Sequence, residues 1–300
     1  RLDSKLNQDM RKFCQIAFPQ VPLAHELPVP LDSAPAYQAV SQYLADTGAE
    51  VAESGPEKHI HTDPLNEPEG HVLMPDTMTT HERTTMVFDH QEPDRVPMHD
   101  SPWSSTVERW RREGLPQGVG PAEFFGWDDI VGIGHDNSPR YPERVIEETD
   151  EYVIRTTKWG VTLKNWKEHG GVPEFLDFTI TDRDSWEEAK ARMKPDEDRV
   201  DWAYLKENYP RWKERGAWIV AGAWFGYDVL ASWTVGYERM LMAMVQDPAW
   251  ARDMARTQLQ CNIGMLETIW DRGYEFDCVR WPDDMGYRNG LLFSKDAYRE

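Results

Sequence analysis

The sequence predicts an α/β fold built on a parallel sheet whose strands are joined by helical crossovers. From Met78 onward, short apolar strands alternate with helices, and each strand ends in polar residues. Four such strands are predicted, at residues 96–98, 130–133, 218–225 and 276–281. Four parallel strands do not close a barrel, and an open parallel sheet leaves an unpaired edge. The pattern therefore predicts about half of a larger α/β structure.

Residues 1–77 differ from the rest and are predicted to be an irregular extension whose role the sequence does not indicate. Prolines recur through "FPQVPLAHELPVPLDSAP" and bias the preceding residues away from helix. One amphipathic helix is predicted just before Gly48. We therefore divide the chain into this extension and an α/β region at 78–300.

The first elements of the α/β region carry clear boundary signals. Thr79 and Glu82 form a capping-box pattern that predicts a helix start. Gly114 is predicted to end the helix within "STVERWRREG". The stretch "RVIEETDEYVIRTTKWGVTLKNW" alternates β-forming and charged residues and has turn signals at Thr149 and at Gly160, so it predicts an antiparallel meander.

The second half of the region is mainly helical between its strands. "DSWEEAKARM" predicts a helix within the charged segment at 182–216. A long helix is predicted with Asp247 as its N-cap, Pro248 in its first turn and Gly273 beyond its end. The chain then reaches the last strand, a loop and the first turn of a further helix, which is an unusual place for a domain to end.

Composition narrows the range of functions. The formal net charge of −20 argues against binding to nucleic acids and to anionic membrane surfaces. No apolar run is long enough to predict a membrane-spanning helix. The three cysteines, Cys14, Cys261 and Cys278, show neither a disulfide framework nor a C-x-x-C motif, which favours a reducing, cytoplasmic setting.

Two adjacent carboxylates, Asp283 and Asp284, follow the last predicted strand and are candidate catalytic residues. Residues just beyond the strands of a β/α barrel form its active-site face. There a carboxylate can bind substrate, orient a metal ligand or transfer a proton. The alternative is that one aspartate caps the following turn while the other faces solvent.

Two His-Asp pairs also follow predicted strands. His99 with Asp100 comes after 96–98, and His135 with Asp136 comes after 130–133. We take His99 as a candidate catalytic residue and His135 as a candidate substrate-binding residue, because both occupy strand ends. The alternative is that both are ordinary loop residues bonded to nearby backbone.

Aromatic residues follow the small-residue strand end "VAGA". Trp224, Phe225 and Tyr227 could form the wall of an apolar pocket for a methoxy or methylamine compound, and we take them as candidate substrate-binding residues. The alternative assigns them to the hydrophobic core.

No metal site is predicted within the chain. His59, His61 and His71 resemble a metal cluster in composition, but the Pro-rich context favours a solvated loop. Cys261 and Cys278 are predicted to be small apolar core residues.

Several motifs taken together resemble the uroporphyrinogen decarboxylase superfamily, in the branch of corrinoid-linked methyltransferases and demethylases. They are "HERTTMVFDHQEPDRVP", "EFFGWDD", "SPRYPERVIEETDEYVIRTTKWGVTLKNWKEHGGVPEFLDFTITDRDSWEEAK", "GAWFG" and "RWPDDMGYRNGLLFSKDAYRE". The resemblance covers 78–300 and implies a single TIM-type (β/α)8 barrel, of which about the first half is present.

The resemblance also implies a zinc-dependent enzyme. Such enzymes move a methyl group between a small methylated compound, or a thiol such as coenzyme M, and a separate corrinoid protein. They bind zinc through a His-x-Cys motif and a later cysteine. No His-x-Cys occurs in this sequence, so the ligands are expected beyond Glu300 and the 300-residue chain alone is expected to lack zinc and activity.

Two alternatives remain open. A cofactor-free decarboxylase acting on a tetrapyrrole should carry an "R-Q-A-G-R" motif. Here Arg109, Arg111 and Arg112 lie on an amphipathic helix in no matching pattern. The other alternative is a non-catalytic binding barrel that kept the fold and lost the site.

Overall fold

A computed structural model describes residues 76–167 and 171–299. Its helices are α1 (Thr80–Phe88), α2 (Ser104–Glu113), α3 (Pro121–Phe125), α4 (Arg183–Arg192), α5 (Trp202–Glu214), α6 (Tyr237–Gln246), α7 (Pro248–Asp271) and α8 (Lys295–Arg299). Its strands are β1 (Ile130–Ile133), β2 (Val145–Glu148), β3 (Tyr152–Thr156), β4 (Val161–Trp166), β5 (Glu174–Phe178), β6 (Trp218–Gly222), β7 (Cys278–Arg280), β8 (Gly286–Tyr287) and β9 (Gly290–Leu291). A 3-10 turn covers Glu197–Arg199, and a π-helix covers Val229–Val235.

The local boundary signals are confirmed. The Thr79 hydroxyl accepts a hydrogen bond from the Glu82 amide, and the Glu82 carboxylate accepts one from the Thr79 amide at 2.8 Å. The Asp247 carboxylate accepts a hydrogen bond from the Trp250 amide at the start of α7. Gly114 follows α2 with a φ of 126°, a conformation that suits glycine.

A three-stranded parallel sheet with the order β1–β6–β7 positions the candidate site. Ile130 pairs with Trp218 and Val220 pairs with Cys278. One face packs against α5 and α7, where Ile133, Ile219 and Ala221 join a continuous hydrophobic core. The α/β class is therefore confirmed.

The opposite face of this sheet is covered at its amino end, where Trp218 is 8% exposed and stacks against Phe88 of α1, and it is more open toward its carboxyl end. Gly132 on β1 and Gly222 on β6 are both exposed, and Val220 between them is half-buried. Among the described residues the sheet has three strands and remains open, so it does not form a barrel.

The prediction of a strand at 96–98 is wrong. Val96 and Met98 are exposed, at 78% and 42%, and belong to an irregular segment. The Met98 amide donates to the Asp128 carboxylate at 2.7 Å, while the Met98 carbonyl accepts from the Asp128 amide. These bonds to a single residue tie the segment to the start of β1 without building a strand ladder. Two predicted strands are also shorter than expected, since β6 ends at Gly222 and β7 covers only Cys278–Arg280.

The antiparallel meander is confirmed and gains a strand. The sequence predicts strands up to Trp166, and the structure adds β5, giving the order β2–β3–β4–β5. Trp159, Val161 and Leu163 are buried in a second hydrophobic core with the π-helix, α4 and α6.

Some predictions fall outside the described residues. These are the helix before Gly48, the histidines at 59, 61 and 71, and Cys14. Within the ranges that the structure covers, no helix is both long and apolar enough to cross a membrane.

Candidate functional site

Most of the predicted site residues lie along one edge of the parallel sheet, because the carboxyl ends of parallel strands point the same way. His135 comes two residues after β1 ends. Trp224, Phe225 and Tyr227 follow β6, and the two aspartates follow β7. In open α/β sheets and in barrels alike, this edge is where ligands bind.

Asp283 joins two of these strand ends directly. Its carboxylate accepts hydrogen bonds from the backbone amides of Tyr227 at 3.0 Å and Asp228 at 2.8 Å. Gly226 has a φ of 131°, and a Cβ atom there would lie 2.5 Å from the Asp283 carboxylate. The loop after β6 can therefore approach Asp283 only with glycine at this position.

Asp284 behaves differently from its neighbour. Its side chain is exposed. The pair thus follows the alternative from the sequence in part, with one carboxylate bound to backbone amides and the other facing solvent. The amides that Asp283 binds belong to the loop after β6, more than fifty residues earlier, and not to the turn that follows Asp283. The sequence does not indicate this contact.

Tyr227 is buried beside these carboxylates. It is 7% exposed, its ring centroid lies 4.5 Å from that of Phe293, and its hydroxyl has no hydrogen-bond partner among the described residues. Burial, together with the nearby Tyr237, Asp228 and Asp283, raises the pKa of Tyr227 to about 12. The phenol therefore stays protonated at neutral pH.

Two further hydroxyl groups, those of Ser232 and Tyr237, lie at the site and are not predicted by the sequence. The Asp228 carboxylate accepts hydrogen bonds from the Ser232 hydroxyl at 2.6 Å and the Tyr237 hydroxyl at 2.8 Å. Ser232 lies on the π-helix and Tyr237 begins α6. These bonds connect the loop after β6 to the helices that follow it.

The aromatic residues after β6 lie between the two hydrophobic cores. Trp224 packs edge-on against Trp159 and Trp233, with ring centroids 5.4 and 5.1 Å away. The ring centroid of Phe225 lies 5.7 Å from that of Trp281, which follows β7. Trp224 and Phe225 are half-buried, a state that fits a pocket wall and the edge of a core equally well.

His135 belongs to a buried network of neutral polar groups. Its Nε2 atom lies 2.7 Å from Oδ1 of Asn262, on α7. Asn137 Nδ2 lies 3.1 Å from the same oxygen and 2.5 Å from the carbonyl oxygen of Trp224. Burial lowers the pKa of His135 below its ordinary value. The imidazole is therefore neutral at neutral pH, and its Nδ1 atom is buried without a partner among the described residues.

Gln258 extends this network on α7. Its side chain is fully buried, and its Oε1 atom lies 3.4 Å from the Gly226 amide. The amide nitrogen Nε2 is buried and has no hydrogen-bond partner among the described residues. The loop after β6 is thus contacted by α7 as well as by Asp283.

Asp136, beside His135, has an ionic environment of its own. Burial opposes ionisation, but the hydrogen bonds from Ser138 and the ion pair with Lys158 prevail and lower its pKa to about 2. Arg140 also lies 3.2 Å from this carboxylate. Asp136 is accordingly a charged group that stabilises its loop.

His99 and Asp100 do not join the other candidates. Both are exposed and line a surface hollow with Asp128, Asp129 and Ile130. Those three residues precede or begin β1, so the hollow lies at the amino end of that strand. His135 and Asp283 lie at the carboxyl ends.

The described residues form no metal centre. Within 76–167 and 171–299, no group of three or more His, Cys, Asp or Glu side chains is placed to hold a metal ion. Cys261 is buried in the core, and Cys278 accepts a hydrogen bond from the indole of Trp218 at 3.4 Å. Burial raises the pKa of both thiols, which favours their protonated forms.

Comparison of the chain with protein-family models, with curated proteins and with solved structures gives no match. Family and function therefore rest on the chain's own residues.

Proposed function

We propose that this chain is part of a zinc-dependent methyltransferase of the uroporphyrinogen decarboxylase superfamily. It would move a methyl group between a small methylated substrate, or a thiol, and a corrinoid protein that docks at the site. The resemblance of the motifs between Met78 and Glu300 supports the proposal. The free thiols of Cys261 and Cys278 fit the reducing cytoplasm that we propose as its location.

One observation carries the proposal, namely the link that Asp283 makes between the ends of β7 and β6. Its two hydrogen bonds to backbone amides hold the loop that presents Trp224, Phe225 and Tyr227. The loops at the carboxyl ends of parallel strands are the usual setting of an active site.

We further propose that β1, β6 and β7 are consecutive parts of a TIM-type barrel. Parallel sheets are normally covered on both faces. Here α5 and α7 cover one face, while the other face is covered by α1 at Trp218 and leaves Gly132 and Gly222 exposed. Five further strands from outside the described residues would complete the eight strands that close the sheet around that face.

The chain's own residues would bind and orient the substrate. Trp224 and Phe225 would exclude water from the methyl group, since both rings are anchored by other aromatic side chains. A zinc ion in the complete site would stabilise the acceptor thiol as a thiolate. The described residues do not fit a zinc site, so we assign its ligands to residues beyond Glu300 and derive no step through the metal.

The arginines of α2 give the decarboxylase alternative little support. Arg109 forms an ion pair with Glu113 on its own helix, and Arg111 donates to the backbone carbonyls of Pro116 and Val119. These arginines thus stabilise local structure in a region that would have to hold the acid groups of a porphyrinogen.

The test uses protein expressed from the complete coding region, read beyond the codon for Glu300. We expect about one zinc per chain and the formation of methylcob(III)alamin when free cob(I)alamin is mixed with a methoxy-aromatic compound or a methylamine, followed by visible absorbance. Asp283→Ala should slow the reaction, whereas Asp284→Ala should change it less. Protein with neither zinc nor methyl transfer, or decarboxylation of uroporphyrinogen instead, would refute the proposal.

A further inference from the structure

The orientation of the Asn262 side chain is fixed by its own helix. Its Nδ2 atom lies 2.8 Å from the backbone carbonyl oxygen of Gln258, one turn earlier on α7. A carbonyl oxygen can only accept a hydrogen bond, so the atom that faces it must be the amide nitrogen. The other terminal atom of Asn262 is therefore the oxygen.

That oxygen determines which nitrogen of His135 carries a proton. Asn262 Oδ1 lies 2.7 Å from His135 Nε2 and 3.1 Å from Asn137 Nδ2. Asn137 is itself oriented, because its Nδ2 also lies 2.5 Å from the carbonyl oxygen of Trp224. Since Asn262 Oδ1 can only accept, His135 Nε2 must donate.

The environment of His135 favours the neutral imidazole. Burial lowers the pKa of His135. The charge of Asp136 raises this pKa and the charge of Arg199 lowers it. Both neighbours are occupied by other partners: Asp136 pairs with Lys158 and Arg140, and Arg199 donates to backbone carbonyls of residues 136 and 138. A neutral imidazole has a single N–H group, so Nδ1 carries a lone pair.

The lone pair of Nδ1 is unused, and Gln258 Nε2 is the other atom that this network leaves without a partner among the described residues. Nδ1 is buried and has no hydrogen-bond partner within the described part of the chain. Leaving a buried acceptor unbonded is unfavourable, so each such group in a folded protein calls for an explanation, and a functional role is one of them. His135 follows β1 at the edge that carries the candidate site.

We propose that Asn262 and Asn137 are positioning residues that hold His135 in the neutral Nε2–H tautomer, so that Nδ1 accepts a hydrogen bond from an O–H, N–H or S–H group of a bound small molecule. The inference rests on the proposed function only in placing that molecule at this edge. The tautomer does not depend on methyl transfer.

The tautomer can be measured directly by long-range ¹H–¹⁵N NMR on the 300-residue chain with ¹⁵N-labelled histidine. His135→Gln assigns the signal by removing it. We expect the pattern of a neutral ring protonated on Nε2 at pH 7. A ring protonated on Nδ1, or a doubly protonated ring, overturns the inference without the need for any other variant.

Two substitutions separate positioning from a general loss of stability. Asn262→Leu removes the acceptor of Nε2–H, and we expect the His135 signal to change from nearly all Nε2–H to a mixture of tautomers. Asn208→Leu is the matched control, because Asn208 Nδ2 also bonds the carbonyl four residues earlier, that of Tyr204, and its recorded hydrogen bond involves no histidine. An unchanged tautomer in Asn262→Leu, or an equal change in both variants, refutes the positioning role.

The acceptor role of Nδ1 is tested with phenol and anisole, which differ in the hydroxyl hydrogen. We expect millimolar phenol to shift the Nδ1 resonance of His135 and anisole to leave it in place. Equal shifts with both compounds, or none with either, refute this role. Methylcobalamin formation by the complete protein is measured separately, so failure of the proposed methyl transfer is distinguishable from failure of this inference.

Discussion

The two ends of β1 carry buried polar clusters of opposite character. At the amino end, Arg83 and Asp128 have side chains that are 1% and 0% exposed and lie 2.5 Å apart. Arg83 also bonds Asp94 at 2.7 Å, and Arg95 bonds Asp128 at 2.8 Å. At the carboxyl end, the cluster consists of the neutral side chains of His135, Asn137, Gln258 and Asn262.

The clusters also differ in how completely they are bonded. The charges at the amino end pair with one another and tie α1 and the segment before Met98 to the start of β1. The carboxyl end leaves His135 Nδ1 and Gln258 Nε2 without partners in the described chain. A bonded cluster is expected to stabilise the fold, whereas an incompletely bonded one lowers stability and is expected where a ligand binds.

The largest effect is expected at the amino end, from Arg83→Met. Removing this guanidinium takes away a cationic partner of the fully buried Asp128, which keeps its ion pair with Arg95, and also breaks the ion pair with Asp94. Breaking a buried ion pair in this way typically costs about 3–5 kcal/mol. Urea denaturation would measure the loss. Arg109→Met is the control, because Arg109 pairs with Glu113 at the surface and its removal should change stability little. Equal losses in the two variants would contradict the structural role of the amino-end cluster.

The second largest effect is expected from acid, which should reduce the contribution of the amino-end cluster to the free energy of unfolding. The hydrogen bond from Arg83 holds the pKa of Asp94 well below its usual range. For Asp128, burial opposes ionisation, but hydrogen bonds from Met98, Arg95 and Arg83 keep its pKa lowered. The unfolded chain therefore takes up protons first, and stability that is complete above about pH 4 is lost as the pH falls through the folded-state values. Unfolding free energies at pH 7, 4 and 2.5 should fall less steeply in Arg83→Met, and parallel curves would contradict this account.

The sequence reveals features that depend on neighbours along the chain. Thr79 with Glu82 and Asp247 with Pro248 identify helix starts because a cap uses residues within one turn. The turn at Gly160, with a φ of 82°, marks the meander for the same reason. The placement of Asp283 beyond an apolar strand likewise identifies the edge of the site.

Features decided by distant partners were missed. The segment at 96–98 has strand composition, but Asp128, thirty residues away, takes the backbone bonds of Met98. Strand β5 forms because β4 pairs with it. Gln258 and Asn262 are two amides four residues apart on α7, a spacing that predicts only that they share one face of the helix. Nothing local distinguishes them from surface polar residues without knowledge of which face of α7 is buried.

At the carboxyl ends of the strands, Asp283→Ala and Asp284→Ala together test whether Asp283 holds the loop after β6. Asp283 accepts two backbone hydrogen bonds, whereas Asp284 is exposed. Hydrogen bonds to a charged group contribute about 1.5–3 kcal/mol each, so Asp283→Ala should lose at least that much and Asp284→Ala far less. Thermal and urea unfolding would measure both, and near-equal losses would show that Asp283 does not hold the loop after β6.

The smallest effect expected concerns the charge state of His135. Burial lowers the pKa of His135 in the folded chain. Below about pH 6.5 this histidine is therefore more fully protonated in the unfolded chain than in the folded chain. Wild-type stability should therefore fall between pH 7 and 5.5, and His135→Gln should reduce that slope. The nearby charges of Asp136 and Arg199 are present in both proteins, so they do not create the difference. An identical slope in His135→Gln would mean that the ring takes up a proton as readily in the folded chain as in the unfolded chain, which would contradict the effect of burial on His135.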